Sequence, residues 1–304
     1  MRAVATVAAR QHGAITLSQA GRAGLSTKEV RALVKTGAWA RRSREVFTVS
    51  GAPATYEGDV MVACLAGGPR AAACRGTAAR LLGVGRPWFD HAVVEIALPR
   101  GASGHAVAAV GAVAHSYRHL HDGDYARIGV IPTTSAARLV VDLLGVRPAD
   151  ALYAVTDDVL HRRWATPSGI RRCWGEASGR HRTLLDAALL PWAPGPKPGS
   201  PKEMALSRLL QLHGLPRPLR QYEVHVPGSG PRFLDLAYPE AKVAPEYDGR
   251  RDHGARQWAC DAGREDELAS IGWLRLPAGA SDLTEPGATA YCEQVRAALA
   301  ARGA

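Results

Sequence analysis

The chain has 304 residues, 46% hydrophobic and 22% charged, which leaves room for two or three domains with real cores and excludes a disordered chain. No run approaches the roughly 18 consecutive apolar residues of a membrane span. Arg2, Arg10 and His12 interrupt the stretch where a signal-peptide core would lie, so a cytoplasmic protein without a membrane partner is expected.

The formal net charge of +10 is unevenly placed. Residues 1–50 carry nine Lys and Arg against Glu29 and Glu45, residues 51–200 carry 16 against 12 acids, and residues 201–304 carry 13 against 14. A short basic N-terminal module is the footprint of a polyanion, double-stranded DNA above all. Arginine outnumbers lysine 33 to 5, a mark of GC-biased coding, so the position of the charge carries more weight than its total. Five separated cysteines without a C-x-x-C pair argue against a disulfide framework or a zinc ribbon.

Residues 3–12 read as a helix stopped by Gly13. Thr16-Leu17-Ser18-Gln19 and Ser26-Thr27-Lys28-Glu29 are capping boxes, each opening a further helix. On the third helix Val30, Leu33 and Val34 share one face, while Lys28, Arg31 and Lys35 share the other. Residues 39–42 and 46–49 read as two strands around Ser43-Arg44-Glu45. Three helices and a basic hairpin make a winged helix-turn-helix over residues 1–52. Lys28, Arg31 and Lys35 would face the major groove, and Arg41, Arg42 and Arg44 the flanking backbone. The same fold also serves protein contact.

Residues 53–190 read as an α/β middle domain of open role. Cys74–Leu82 is helical, 93–98 and 107–115 alternate like strands, Pro132-Thr133-Thr134-Ser135 caps a helix over 136–144, and another helix covers 150–163. His115, His119 and His121 beside Asp122 offer metal-binding atoms, although surface histidines on strand and loop are common. The proline-rich stretch 191–201 is a stiff linker.

Residues 202–304 read as a further α/β domain: a helix over 202–213, strands over 221–226, 232–238 and 243–248, a helix over 256–270, a strand over 273–276 and a helix over 286–301. If 232–238 and 243–248 form a hairpin with a four-residue loop, Asp235 falls opposite Glu246, with Asp248 on the same face. Opposed like charges are destabilising, and a divalent cation is one remedy. The other reading is that Asp235 and Asp248 cap turns and pair with arginines.

This segment resembles the very-short-patch-repair-like branch of the PD-(D/E)xK nuclease superfamily. The matching pieces are the helix with Glu203, then Gln221, Phe233-Leu234-Asp235-Leu236-Ala237-Tyr238-Pro239, Glu246-Tyr247-Asp248-Gly249, His253, the helix with Asp261 and Arg264, and Gly272-Trp273. The N-terminal module resembles the winged-helix domain of AbiEi-type antitoxins, including Gly13-Ala14-Ile15-Thr16 and Leu33-Val34-Lys35-Thr36-Gly37.

The first resemblance implies a restriction-endonuclease-like mixed sheet flanked by helices and metal-dependent phosphodiester hydrolysis. Asp235 and Glu246 would ligate Mg²⁺ or Mn²⁺, with Asp248 beside them and Glu203 reaching in from its helix. His253 would act as general acid or base, and Arg264 would stabilise charge on the phosphate. Two departures stand out. Asp248 occupies the superfamily's lysine position, so a cation must come from Arg264, His253 or Lys242. Pro245 sits inside a strand, where proline cannot donate to a ladder.

The expectation is a multidomain α/β protein with a winged helix that delivers an endonuclease-like domain to DNA. The alternative, implied by the second resemblance, is a non-catalytic repressor and antitoxin that counters a nucleotidyltransferase-type toxin. A third is an RNA-directed nuclease.

Overall fold

The computed structural model describes residues 2–86, 88–90, 93–177, 179–192, 200–248 and 266–303. The chain divides into two compact units, residues 1–155 with 163–182, and residues 156–162 with 183–304. His253, Arg264 and most of the proline-rich stretch lie outside the described residues.

The first unit opens with α1 (Arg2–Arg10), β1 (Ala14–Thr16), α2 (Leu17–Arg22), α3 (Thr27–Lys35), β2 (Trp39–Arg41) and β3 (Val46–Val49). Both capping boxes form in full. The Thr16 side chain accepts from the Gln19 amide while the Gln19 side chain accepts from the Thr16 amide, and Ser26 and Glu29 repeat the exchange. Each box satisfies two of the amides a helix start leaves orphaned. The expected two-strand wing is a three-stranded antiparallel sheet ordered β1-β3-β2. Ala14-Ile15-Thr16 is too short for an alternation to be read, yet it pairs with 46–48. Val4, Ala8, Ile15, Ala20, Val30, Trp39 and Phe47 form the core of this module.

Next come α4 (Tyr56–Gly67), β4 (Ala72–Ala73), α5 (Arg75–Leu82), β5 (Glu95–Pro99), α6 (His105–Ala108), β6 (Val113–Tyr117), β7 (Tyr125–Ile128), β8 (Ile131–Thr134) and α7 (Ala136–Leu143). The five strands form one mixed sheet ordered β6-β5-β4-β8-β7. Val60, Met61 and Ala63 of α4 share a core with Ala73, Ile96, Leu98 and Ile131 of the sheet. The strand expected across 107–115 is the short helix α6 followed by a strand that starts at Val113. Val107 is buried at the helix, and Gly111 at φ +81° turns the chain into β6, so the apolar alternation spans a turn. The division between the units falls within α8 (Ala149–His161), and α9 (Pro167–Ala177) belongs to the first unit.

The second unit carries α10 (Arg182–Leu189) from Thr183 onward, α11 (Pro201–Leu212), β9 (Leu219–Val226), β10 (Gly230–Ala237), β11 (Val243–Tyr247), β12 (Leu274–Ala278) and α12 (Gly287–Ala301). A helical turn covers 266–270. The expected single mixed sheet is two ladders: β9 antiparallel to β10, and β11 parallel to β12.

The hairpin register places Tyr238 against Val243, each donating its amide to the other's carbonyl at 2.8 and 3.2 Å. The next hydrogen-bonded pair of an antiparallel ladder would be Leu236 with Pro245. Pro245 has no N–H, and the β10–β11 ladder ends at its first bridge. The parallel side is undisturbed. The Lys242 carbonyl accepts from Leu274 and the Asp248 amide donates to Ala278, both at 2.8 Å, so the even-numbered amides of β11 face β12 and position 245 faces away.

Candidate nucleic-acid interface and carboxylate site

On α3 the apolar positions set the orientation. Val30 is buried and Leu33 and Val34 are half-buried against the wing, which leaves Lys28, Arg31 and Lys35 exposed. Arg31 lines a groove between α3 and the wing together with Thr27, Arg41 and Arg44. The three wing arginines differ. Arg44 projects, its side chain 90% exposed, with Glu45 at 3.6 Å. Arg41 folds onto its own turn, donating from Nε to the Ser43 carbonyl and from Nη2 to the Arg44 carbonyl, both at 3.1 Å. Arg42 is held by Asp59 of α4 at 2.9 Å. Of the wing cations, Arg44 is therefore the one best presented to a phosphate. Glu29, the acid on α3, has its carboxyl held below the usual range by the Ser26 hydroxyl and then by the Ser26 amide.

In the second unit, Ser200 caps α11 and accepts from the Glu203 amide at 3.2 Å, fixing Glu203 in the first turn. The Gln221 side-chain amide lies 3.3 Å from Glu203 Oε2 and 3.4 Å from Asp235 Oδ1, bridging the two acids. Gln221 is left-handed at φ +47°, and the β9–β10 ladder pairs 222 with 234 and 220 with 236 but skips 221 and 235. A non-glycine residue in this region is strained, and such strain persists where surrounding structure enforces it.

Glu246 and Asp248 have a different partner, one the sequence reasoning missed. Arg275 on β12 donates from Nε to Glu246 Oε2 at 2.6 Å and from Nη2 to Asp248 Oδ2 at 3.3 Å. The three side chains are 7%, 3% and 9% exposed. Burial alone would lower the Arg275 guanidinium's affinity for its proton, but the Glu246 hydrogen bond and both carboxylate charges raise it. The signal in the sequence was a lone charge in the apolar run Trp273-Leu274-Arg275-Leu276. Lys242, expected as a candidate cation for the site, instead sits in the hairpin turn and donates to the Ile271 carbonyl at 3.0 Å.

Among the described residues these donors are engaged by other side chains and are not gathered about a divalent ion. Asp235 and Glu203 are tied by Gln221, Glu246 is tied by Arg275, and the hairpin ladder that would align Asp235 with Glu246 stops at Pro245. Among the described residues no group of three or more His, Cys, Asp and Glu side chains is arranged to hold a metal.

His115, His119 and His121 make contacts of other kinds. His115 Nε2 lies 3.0 Å from buried Glu95, which also accepts from Arg147 at 2.9 Å and from the Gly76 amide at 3.0 Å. Burial pushes the Glu95 carboxyl up, but these partners, His115 first, bring it below its ordinary value. The His119 and His121 rings stack at 6.4 Å, and Asp122 pairs with Arg70 at 3.2 Å. Beneath them Arg138 joins Asp124 at 3.1 Å and Asp142 at 2.8 Å. Burial pushes the Asp142 carboxyl up to about 6, despite the opposing charge of Arg138.

Residues 2–50 match the family AbiEi_4, described as "Transcriptional regulator, AbiEi antitoxin", and carry that domain. Two curated relatives, the uncharacterized proteins MT2308 and Rv2248 from two strains of Mycobacterium tuberculosis, are each 30% identical over 164 residues, or 53% of this chain. That match spans 58% of the relatives' length. Among solved structures, the crystal structure of the RV2827C protein from Mycobacterium tuberculosis aligns at a TM-score of 0.43 and 15% identity, covering 74% of this chain and 88% of that one. No helix among the described residues is long and apolar enough to cross a membrane.

Proposed function

We propose that the protein is a DNA-binding transcriptional regulator of the AbiEi antitoxin type, docking on duplex DNA through α3 and countering a partner toxin of the nucleotidyltransferase class. The observation that carries the DNA half is the division of one nine-residue helix into a face anchored by Val30, Leu33 and Val34 and a face presenting Lys28, Arg31 and Lys35. A helix of that kind enters the major groove, its cations meeting phosphates and base edges. The toxin partner rests on the family of residues 2–50. Titration of the full-length protein onto duplex DNA at several salt concentrations tests the reading. Equal affinity for the wild type and the K28A/R31A/K35A variant would end it.

A second reading, DNA phosphodiester hydrolysis with Mg²⁺ or Mn²⁺ in the C-terminal unit, draws on the order of its elements and on the Glu203–Gln221–Asp235 cluster. Because the described donors are engaged by Gln221 and Arg275, no catalytic step is assigned to it. A cleavage assay on several DNA forms, with Asp235→Ala alongside, separates the two readings: metal-dependent nicking abolished in the variant would favour the enzyme.

A further inference from the structure

We infer that Arg275 is the resident counter-ion of Glu246 and Asp248, supplying the charge that a divalent cation would bring and excluding such a cation from these two carboxylates. The strand register makes the arrangement. Arg275 is the in-register partner of Ala244 across the parallel β11–β12 pair, so the two side chains leave the same face of the sheet. Glu246 and Asp248 stand two and four residues further along that face. The single methyl of Ala244 leaves room for the long arginine to lie along β11 and reach both acids. Its fork donates to each through a separate nitrogen, at 2.6 and 3.3 Å.

A guanidinium does not lose its proton in a protein. The positive charge is therefore permanent and cannot be titrated away to admit a metal. With all three groups at most 9% exposed, a divalent ion arriving at Glu246 would have to displace a short charge-assisted hydrogen bond and then sit beside a trapped cation. The carboxylate pair thus serves the fold rather than metal capture. This inference stands independently of the DNA-binding reading and opposes the metal-dependent one.

The test uses the full-length protein, Mn²⁺ alone as the probe, and two readouts: the melting temperature and Mn²⁺ binding by electron paramagnetic resonance. The wild type and Arg275→Lys should show no Mn²⁺ response that Glu246→Gln removes. Arg275→Gln should melt lower, bind Mn²⁺, and recover about 5 °C or more when the ion is in roughly hundredfold excess over its dissociation constant. Adding Glu246→Gln to that variant should abolish the recovery. A folded Arg275→Gln protein that binds no Mn²⁺ at this site overturns the inference. So does a wild-type Mn²⁺ response that disappears in Glu246→Gln. If Arg275→Gln does not fold, the comparison of wild type with Glu246→Gln decides alone: an unchanged Mn²⁺ response supports the counter-ion, an abolished one overturns it.

Discussion

Arg208 and Asp157 meet in a two-pronged ion pair, Nη1 to Oδ2 at 2.8 Å and Nη2 to Oδ1 at 2.6 Å, with both side chains at most 3% exposed. Trp192 Nε1 also donates to Asp157 at 2.8 Å, and Arg208 donates to the carbonyls of Ala187 and Ala188. The pair joins the C-terminal end of α8 to α11 within the second unit. Removing one partner of such a pair leaves an uncompensated buried charge and costs about 3–5 kcal/mol. Arg208→Ala should lower the denaturant midpoint accordingly, whereas Asp157→Leu with Arg208→Met should recover much of the loss. A fragment starting at residue 201 lacks Asp157 and should fold poorly compared with one starting near residue 148. Circular dichroism melts of the two fragments check this, and equal stability would contradict it.

Salt dependence separates the cations of the winged helix. If Lys28, Arg31 and Lys35 each neutralise one phosphate, replacing any one of them by alanine should reduce the log–log salt slope of DNA binding by about 0.9. Arg42→Ala should change that slope little, because its guanidinium is engaged by Asp59. Its effect on stability should be a few tenths of a kcal/mol, as for exposed pairs. A slope change for Arg42→Ala equal to that for Arg31→Ala would refute the assignment.

The first unit should carry a pH-dependent component with an unusual sign. Asp142 holds its proton up to about pH 6 when folded, against about 3.9 when unfolded. A raised carboxyl value means its stabilising contribution is fully present below about pH 4 and fades as pH rises towards 6. The size is on the order of 3 kcal/mol. The difference in unfolding free energy between wild type and Asp142→Asn, measured from pH 4 to pH 7, should move against the wild type as pH rises. A flat difference would show that Asp142 titrates normally.

Pro245→Val should extend the hairpin ladder. It restores an amide facing Leu236, worth about 1 kcal/mol as a hydrogen bond, while returning about 0.4–1 kcal/mol of chain entropy to the unfolded state. Net stability should therefore move little, but the new amide at 245 should be protected from hydrogen exchange. Fast exchange there would mean that something besides the missing N–H holds β10 and β11 apart.

What the sequence disclosed followed local chemistry. The capping boxes at Thr16 and Ser26, the outward cations of α3 and the 238/243 turn register all depend on residues a few positions apart, and all are present. Helix α4 was not read because it has no polar stripe. Val60, Met61, Val62, Ala63 and Cys64 are all buried, so the 3.6-residue period that marks a surface helix is absent. Arg275 was missed because its partners lie 27 and 29 residues away, joined by a parallel pairing that no local pattern encodes. The effect of Pro245 was anticipated in kind, but its outcome required knowing which edge of β11 the missing amide faces.

The buried ion pairs alter how a nucleic acid experiences this protein. Arg138, Arg208 and Arg275 are removed from solvent together with Asp124, Asp142, Asp157, Glu246 and Asp248. Arg220 and Glu95 are buried as well, so among the described residues four cations withdraw with six anions, and the charges left at the surface are richer in cations than the total. An arginine-rich composition that looks like surplus cation is, at these positions, the solvent for acids the fold has internalised. A distant polyanion feels the sum of all these charges, buried or exposed, but one in contact with the surface meets a local charge more cationic than that sum.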